Sequence, residues 1–157
     1  VVKGQWAMKV LTKSSEETKE LGQRLAPLLE PGDIIILIGN LGAGKTVFVS
    51  GLAKGLEVEG QVSSPSFVLI KEYPGRLNLY HIDAYRLEGP ALAELGLEEY
   101  FYSDGVSVVE WGEKVSGLLP EAYLEIRFRC LDEPSSRQIE IWPTGERWES
   151  RVKEWLK

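Results

Sequence analysis

The chain has 157 residues, 43% hydrophobic and 27% charged, with a formal net charge of -6. That composition suits one globular α/β domain over residues 1–157 with a real core, and it argues against unaided binding to a nucleic-acid backbone, which normally requires a basic surface. Cys130 is the only cysteine, which excludes an internal disulfide framework and a cysteine-based zinc cluster and suits a reducing cytoplasm; no apolar run approaches the roughly 18 residues of a membrane span.

Residues 1–6 lack the features of a secretion signal, and residues 1–7 read as a tag remnant or disordered stretch before a candidate start at Met8. Residues 8–11 read as a short edge strand. Ser14 and Glu17 then have capping-box spacing, and Leu21, Leu25, Leu28 and Leu29 form an apolar stripe at helical period. Glu30-Pro31-Gly32-Asp33 stops that helix and turns the chain into Ile34-Ile35-Ile36-Leu37-Ile38, a strand covered on both faces.

Gly39-Asn40-Leu41-Gly42-Ala43-Gly44-Lys45-Thr46 follows directly and fits G-x-x-x-x-G-K-T. Between a buried strand and a helix, this pattern is a nucleotide-phosphate loop. Its backbone N–H groups can surround phosphate oxygens, Lys45 supplies a point charge and Thr46 a hydroxyl for magnesium. The expected ligand is ATP or GTP with Mg²⁺, held by residues 40–47: Asn40, Leu41, Gly42, Ala43, Gly44, Lys45, Thr46 and Val47. Val47 brings no hydroxyl of its own.

The helix from Lys45 to about Leu56 buries Phe48, Val49, Leu52, Ala53 and Leu56 on one side. A polar loop, Ser63-Ser64-Pro65-Ser66, comes next; Ser66 is placed where nucleotide switches sense the terminal phosphate, although a plain turn of small residues reads the same way. Residues 67–73 and 77–83 flank Pro74-Gly75-Arg76 as a hairpin, with Leu77, Leu79, His81 and Asp83 on one face. His81 reads as a packed residue rather than a base. Tyr85 could close the core or meet a ligand, and Arg86 could pair with Glu88.

Short helical pieces are expected over 91–95 and 97–101, and a buried strand over 106–109. Leu124, Ile126, Phe128 and Cys130 alternate with Glu125, Arg127 and Arg129 in a half-buried strand whose antiparallel mate spans 138–142. Thr144 can cap a last helix with Trp148, Val152, Trp155 and Leu156 on its apolar side.

Asp83 and Glu110 each end an apolar strand, where α/β folds place functional carboxylates. Both are candidates for the metal and for catalysis. Asp83 is favoured for the magnesium shell, and Glu110 for the attacking water or its network. Trp111 reads mainly as packing. Lys45, Glu110, Asp83 and Ser66 are thus the expected catalytic set, and Thr46, Asp83 and Glu110 the expected metal set.

The phosphate loop, Ser64-Pro65-Ser66-Phe67, His81-Ile82-Asp83-Ala84-Tyr85-Arg86 and Val109-Glu110-Trp111-Gly112-Glu113 together resemble, in order and spacing, the TsaE/YjeE family. That family is the bacterial P-loop ATPase subunit of the machinery that makes threonylcarbamoyladenosine in tRNA. The resemblance implies a P-loop nucleoside triphosphate hydrolase fold with a mixed central sheet flanked by helices. It also implies ATP hydrolysis that supports modification of adenosine 37 within a multi-protein complex. The implied partners are the threonylcarbamoyl transferase subunit and its paralogous dimer partner, with tRNA reached indirectly and no membrane. Three positions depart from the family pattern: Ser66 stands where threonine is usual, Asn40 where aspartate is common, and Val47 where threonine is frequent.

A small-molecule kinase shares the loop, but no arginine follows Arg86 before Tyr102 to build a lid. A nucleotide-controlled adaptor with negligible turnover is the other alternative. A GTPase is disfavoured because no N/T-K-x-D stretch follows the loop.

Overall fold

The computed structural model describes residues 7–40, 42–62, 70–87 and 95–157. Seven strands form one mixed sheet: β1 (Met8–Thr12), β2 (Ile34–Ile38), β3 (Ile70–Tyr73), β4 (Leu79–Asp83), β5 (Val106–Glu110), β6 (Tyr123–Cys130) and β7 (Arg137–Thr144). Their spatial order is β1-β7-β6-β2-β5-β4-β3. The central ribbon β6-β2-β5-β4 is parallel, and the pairs β1/β7, β7/β6 and β3/β4 are antiparallel.

Among the described residues there are four helices, α1 (Ser15–Leu25), α2 (Lys45–Gly55), α3 (Leu97–Phe101) and α4 (Glu146–Trp155), with 3-10 turns at Ala26–Leu28 and Gly112–Leu118. The start of α1 follows the capping logic closely. Ser14 Oγ accepts from the Glu17 N–H at 3.1 Å, while the Glu17 carboxylate accepts from the Lys13 N–H at 2.8 Å. The last helix departs from expectation: its N-cap is Gly145, and Thr144 completes β7 instead. Pairing of Thr144 with Tyr123 keeps it in the ladder, out of reach of the cap position.

The sheet is covered on both faces. On one side α1, α2 and α4 bury Leu21, Leu25, Phe48, Leu52, Trp148, Val152 and Trp155 against Ile35, Leu37, Val108 and Ile126. Phe48 stands at the middle, edge-on to Phe128 at 5.6 Å and to Trp155 at 6.2 Å. On the other side Ile34, Ile36, Ile82 and Val109 meet Ala84, Leu97, Phe101 and Val115. Alternate residues of β2 therefore feed two separate cores, which is why its sequence is apolar without interruption.

Strand β6 is more enclosed than its alternation suggests. It lies between β7 and β2, so Glu125 is fully buried, and its carboxylate accepts a 2.6 Å hydrogen bond from Arg127 Nε. Cys130, counted by alternation among the inward residues, is exposed at the strand's end. Strand β4 begins at Leu79 rather than at 77. The expected strand residues 67–69 and most of the helical piece over 91–95 lie outside the described residues.

Helices α1 and α2 touch backbone to backbone. A Cβ at Gly51 would stand 1.8 Å from the Lys19 carbonyl oxygen, and one at Gly22 2.3 Å from the Phe48 carbonyl oxygen. This contact sets the height of α2, and hence of its first turn, against the sheet. On α4, Arg151 donates to Asp33 and forms an ion pair with Glu30, clamping the helix to the loop that enters β2. Burial pushes the Asp33 carboxyl up to about 7, with the nearby Arg147 charge opposing.

Gly51→Ala is expected to destabilise the fold by about 1–3 kcal/mol in urea unfolding, although alanine is intrinsically the better helix former by about 1 kcal/mol, because the backbones must separate. Gly117→Ala, with open space around its added methyl, should change stability by no more than about 0.5 kcal/mol.

Asp33 generates a pH test. A folded pKa near 7 against 3.8 when unfolded means that the folded state holds a proton the unfolded state has lost. This carboxyl's contribution to stability is therefore greatest below the unfolded value, falls as pH rises to about 7, and is level above. The stability of the unaltered chain relative to Asp33→Asn should decline over that window, measured by urea unfolding at successive pH values.

Candidate functional site

The parallel strands β2, β4 and β5 end on the same edge of the sheet, bringing Ile38, Asp83 and Glu110 to the side where α2 begins. After β2 the chain must reverse into α2 over the top of the sheet. Gly39 passes so close to β6 that a Cβ there would meet the Phe128 carbonyl oxygen at 2.8 Å, and Gly44 takes φ +104, a left-handed conformation that β-carbons disfavour. Gly44 is the N-cap of α2 and offers no side-chain cap. The first N–H groups of a helix have no acceptor within it, so this end presents donors and a positive dipole without a built-in anion.

Lys45 opens that helix and is only 4% exposed. Its ammonium donates to the Gly39 carbonyl at 2.5 Å and lies 4.1 Å from the Trp111 ring centroid. Burial lowers its pKa, while the charges of Glu110, Glu113 and Asp83 pull it back up. The side chain is thus held inside the loop it serves, among carboxylates from two strand ends.

Asp83 and Glu110 are register neighbours on adjacent parallel strands. Their surroundings differ. Asp83 is partly exposed and its Oδ1 accepts from the Tyr85 N–H at 2.9 Å. Glu110 is buried, and its Oε2 meets His81 Nε2 at 2.5 Å. His81, itself completely buried, is the packed residue expected, but what it packs on is the candidate catalytic carboxylate.

Trp111 contributes more than the packing expected of it. It adopts φ +60, which turns its ring over Lys45 and against Tyr85, with ring centroids 4.8 Å apart. Tyr85 does not close the core: it is 50% exposed, and Lys114 donates to its carbonyl oxygen.

A cavity of about 260 Å³ opens beside the loop. Gly42, Gly44, Lys45, Thr46 and Val47 line it together with Glu110, which unites most of the expected phosphate residues with one expected acid. Its remaining walls come from elsewhere: Ser15 and Thr18 at the start of α1, and Ser135 and Arg137 at the turn between β6 and β7. No local pattern points to these four: residues 135–137, for example, lie roughly 90 positions after the loop. Asn40 lies outside this cavity and lines another, toward β6 and β7. Leu41, Ser66 and Glu88, and with them the switch-loop expectation and the suggested pair with Arg86, lie outside the described residues.

Among the described residues no three His, Cys, Asp or Glu side chains gather as a metal cage, and no helix is long and apolar enough to cross a membrane. The donor set that does converge, one hydroxyl and one or two carboxylates beside a loop of N–H groups, fits a magnesium ion carried largely by phosphate oxygens and water.

The family model described as threonylcarbamoyl adenosine biosynthesis protein TsaE matches residues 12–139. A tRNA threonylcarbamoyladenosine biosynthesis protein TsaE from Treponema pallidum is 42% identical over 135 residues, covering 85% of this chain and 99% of the relative. Its namesake from Bacillus subtilis is 41% identical over 148 residues, covering 94% and 92%. The crystal structure of Bacillus subtilis YdiB superposes with a TM-score of 0.81 at 38% identity, over 96% of this chain and 95% of that one. The α/β architecture is the P-loop nucleoside triphosphate hydrolase fold, with its mixed central sheet flanked by helices, and the chain belongs to the TsaE family of threonylcarbamoyl adenosine biosynthesis proteins.

Proposed function

We propose that this chain is a Mg²⁺-dependent ATPase that supports threonylcarbamoyladenosine formation at adenosine 37 of tRNA, working as one component of a multi-protein complex. The observation that carries the reading is the buried Lys45 ammonium at an uncapped helix start, with Asp83 and Glu110 side by side on the neighbouring strand ends. The named function of the relatives supports the pathway, and the net charge of -6 supports contact with tRNA through partners rather than directly.

In this reading the N–H groups of the loop and Lys45 bind the phosphates, and Lys45 exchanges its contact with the Gly39 carbonyl for phosphate oxygens. Thr46 and Asp83 would hold magnesium, which supplies charge neutralisation on the phosphate tail when bound. Glu110 orients the attacking water. His81 fixes the Glu110 carboxylate from behind, so its rotamer is set before substrate arrives. Ser66 belongs to the switch loop and would sense the terminal phosphate. The transferase subunit and its paralogous partner complete the site, so turnover by the isolated chain is weak and cytoplasmic partners raise it.

Transfer to a bound metabolite would leave ADP formation dependent on an acceptor; phosphate release from ATP and water alone is the expected result. Lys45→Ala should abolish measurable nucleotide binding and turnover in the reconstituted complex. Glu110→Gln should fold, bind ATP within about threefold of the unaltered chain, and hydrolyse it at least ~100-fold more slowly. Single-turnover phosphate release with the transferase dimer present checks both, and undiminished hydrolysis by Glu110→Gln removes that residue from the mechanism. Pull-down of the transferase dimer without any turnover in the mixture would favour the adaptor reading.

A further inference from the structure

Arg137 begins β7, in register with Thr12 of β1 on one side and Cys130 of β6 on the other. Its backbone is therefore held by two neighbours. All three guanidinium nitrogens donate to main-chain carbonyls: Nε to Ala43 at 3.1 Å, Nη2 to Gly42 at 3.0 Å and Nη1 to Ser136 at 2.9 Å. Two of these acceptors belong to the phosphate loop, and the third to the turn that contributes Ser135 to the cavity wall.

A trans peptide points its C=O and its N–H in opposite directions. Fixing the Ala43 carbonyl toward Arg137 therefore fixes the Gly44 N–H to face the other way, and fixing the Gly42 carbonyl does the same for the Ala43 N–H, which donates to Asn40 at 3.1 Å. This is the stretch with most freedom to lose, because Gly42 and Gly44 both take positive φ. The planar fork of an arginine can hold two successive carbonyls at once, which the single ammonium of a lysine cannot.

We propose that Arg137 is a positioning residue of the nucleotide site. It braces the phosphate loop from the rigid sheet, holding the peptide groups on either side of Ala43 in one orientation before an anion binds, with the Gly44 N–H directed away from Arg137 and the Ala43 N–H on the Asn40 carbonyl. The inference rests on the nucleotide-site reading above and adds a residue to it. It concerns the loop rather than the base, so it affects any ligand with a phosphate tail. A loop that holds its competent shape only about a tenth of the time binds about tenfold more weakly.

The test uses the full chain and two probes, Mg²⁺–ADP and inorganic tripolyphosphate, titrated calorimetrically into the unaltered protein, Arg137→Met and Arg137→Lys. Arg137→Met is expected to weaken both probes about tenfold or more and by similar factors, with Arg137→Lys between it and the unaltered protein. In the reconstituted complex, KM for ATP should rise with Kd while kcat at saturation stays within about threefold. Affinities within twofold for both variants overturn the inference and leave the ATPase reading standing, as does a loss confined to ADP. Failure of the unaltered protein to bind either probe overturns both. If Arg137→Met does not fold, Arg137→Lys decides: unchanged affinity overturns the proposal, and weaker binding of both probes with unchanged thermal unfolding supports it.

Discussion

A buried ammonium at the positive end of a helix dipole is electrostatically unfavourable on its own. Lys45 is in that position, and the surrounding structure compensates for it. The Gly39 carbonyl, the face of Trp111, and the charges of Glu110, Glu113 and Asp83 all stabilise the cation, with no direct ion pair to it among the described residues. A phosphate satisfies the same cation, the free N–H groups of the helix start and the dipole together. The site is thus arranged to gain most from a ligand that is both highly charged and rich in acceptor oxygens.

Holding that arrangement requires backbone precision, and the fold supplies it from three directions. Gly22 and Gly51 let α1 and α2 approach without side chains between them, so the height of α2 is set by main-chain contact. Gly39 packs on β6, which pins the loop's entry. Arg137 holds its outer carbonyls from β7. The loop's shape therefore rests both on its own positive-φ glycines and on contacts from two strands that are remote in the chain.

The two acids show how one sheet edge produces unlike groups. Asp83 and Glu110 are register neighbours, yet Asp83 is partly exposed and spends one oxygen on the turn that follows, while Glu110 is enclosed and tied to His81. A carboxylate that must admit metal-bound water benefits from exposure. One that orients a single water benefits from a fixed rotamer and a dry surrounding.

Local pattern determined much of this. Ile34 to Ile38 has to be an interior strand, Gly39 to Thr46 has to turn the chain into a helix, and Ser14 with Glu17 has to start α1, because each depends on interactions within a few residues. Alternation also marked the inward side of β6, but not that its other side is enclosed: Glu125 is buried because β7 and β2 flank the strand, a fact about neighbours rather than about spacing. Thr144 looked like a cap for the same reason of range, since its ladder partner Tyr123 is 21 positions away. Only the tertiary structure could set His81 against Glu110, turn Trp111 over Lys45, and bring Arg137 to the loop. These contacts join segments that no period, turn or cap connects, and they exist because the sheet places distant strand ends on one edge.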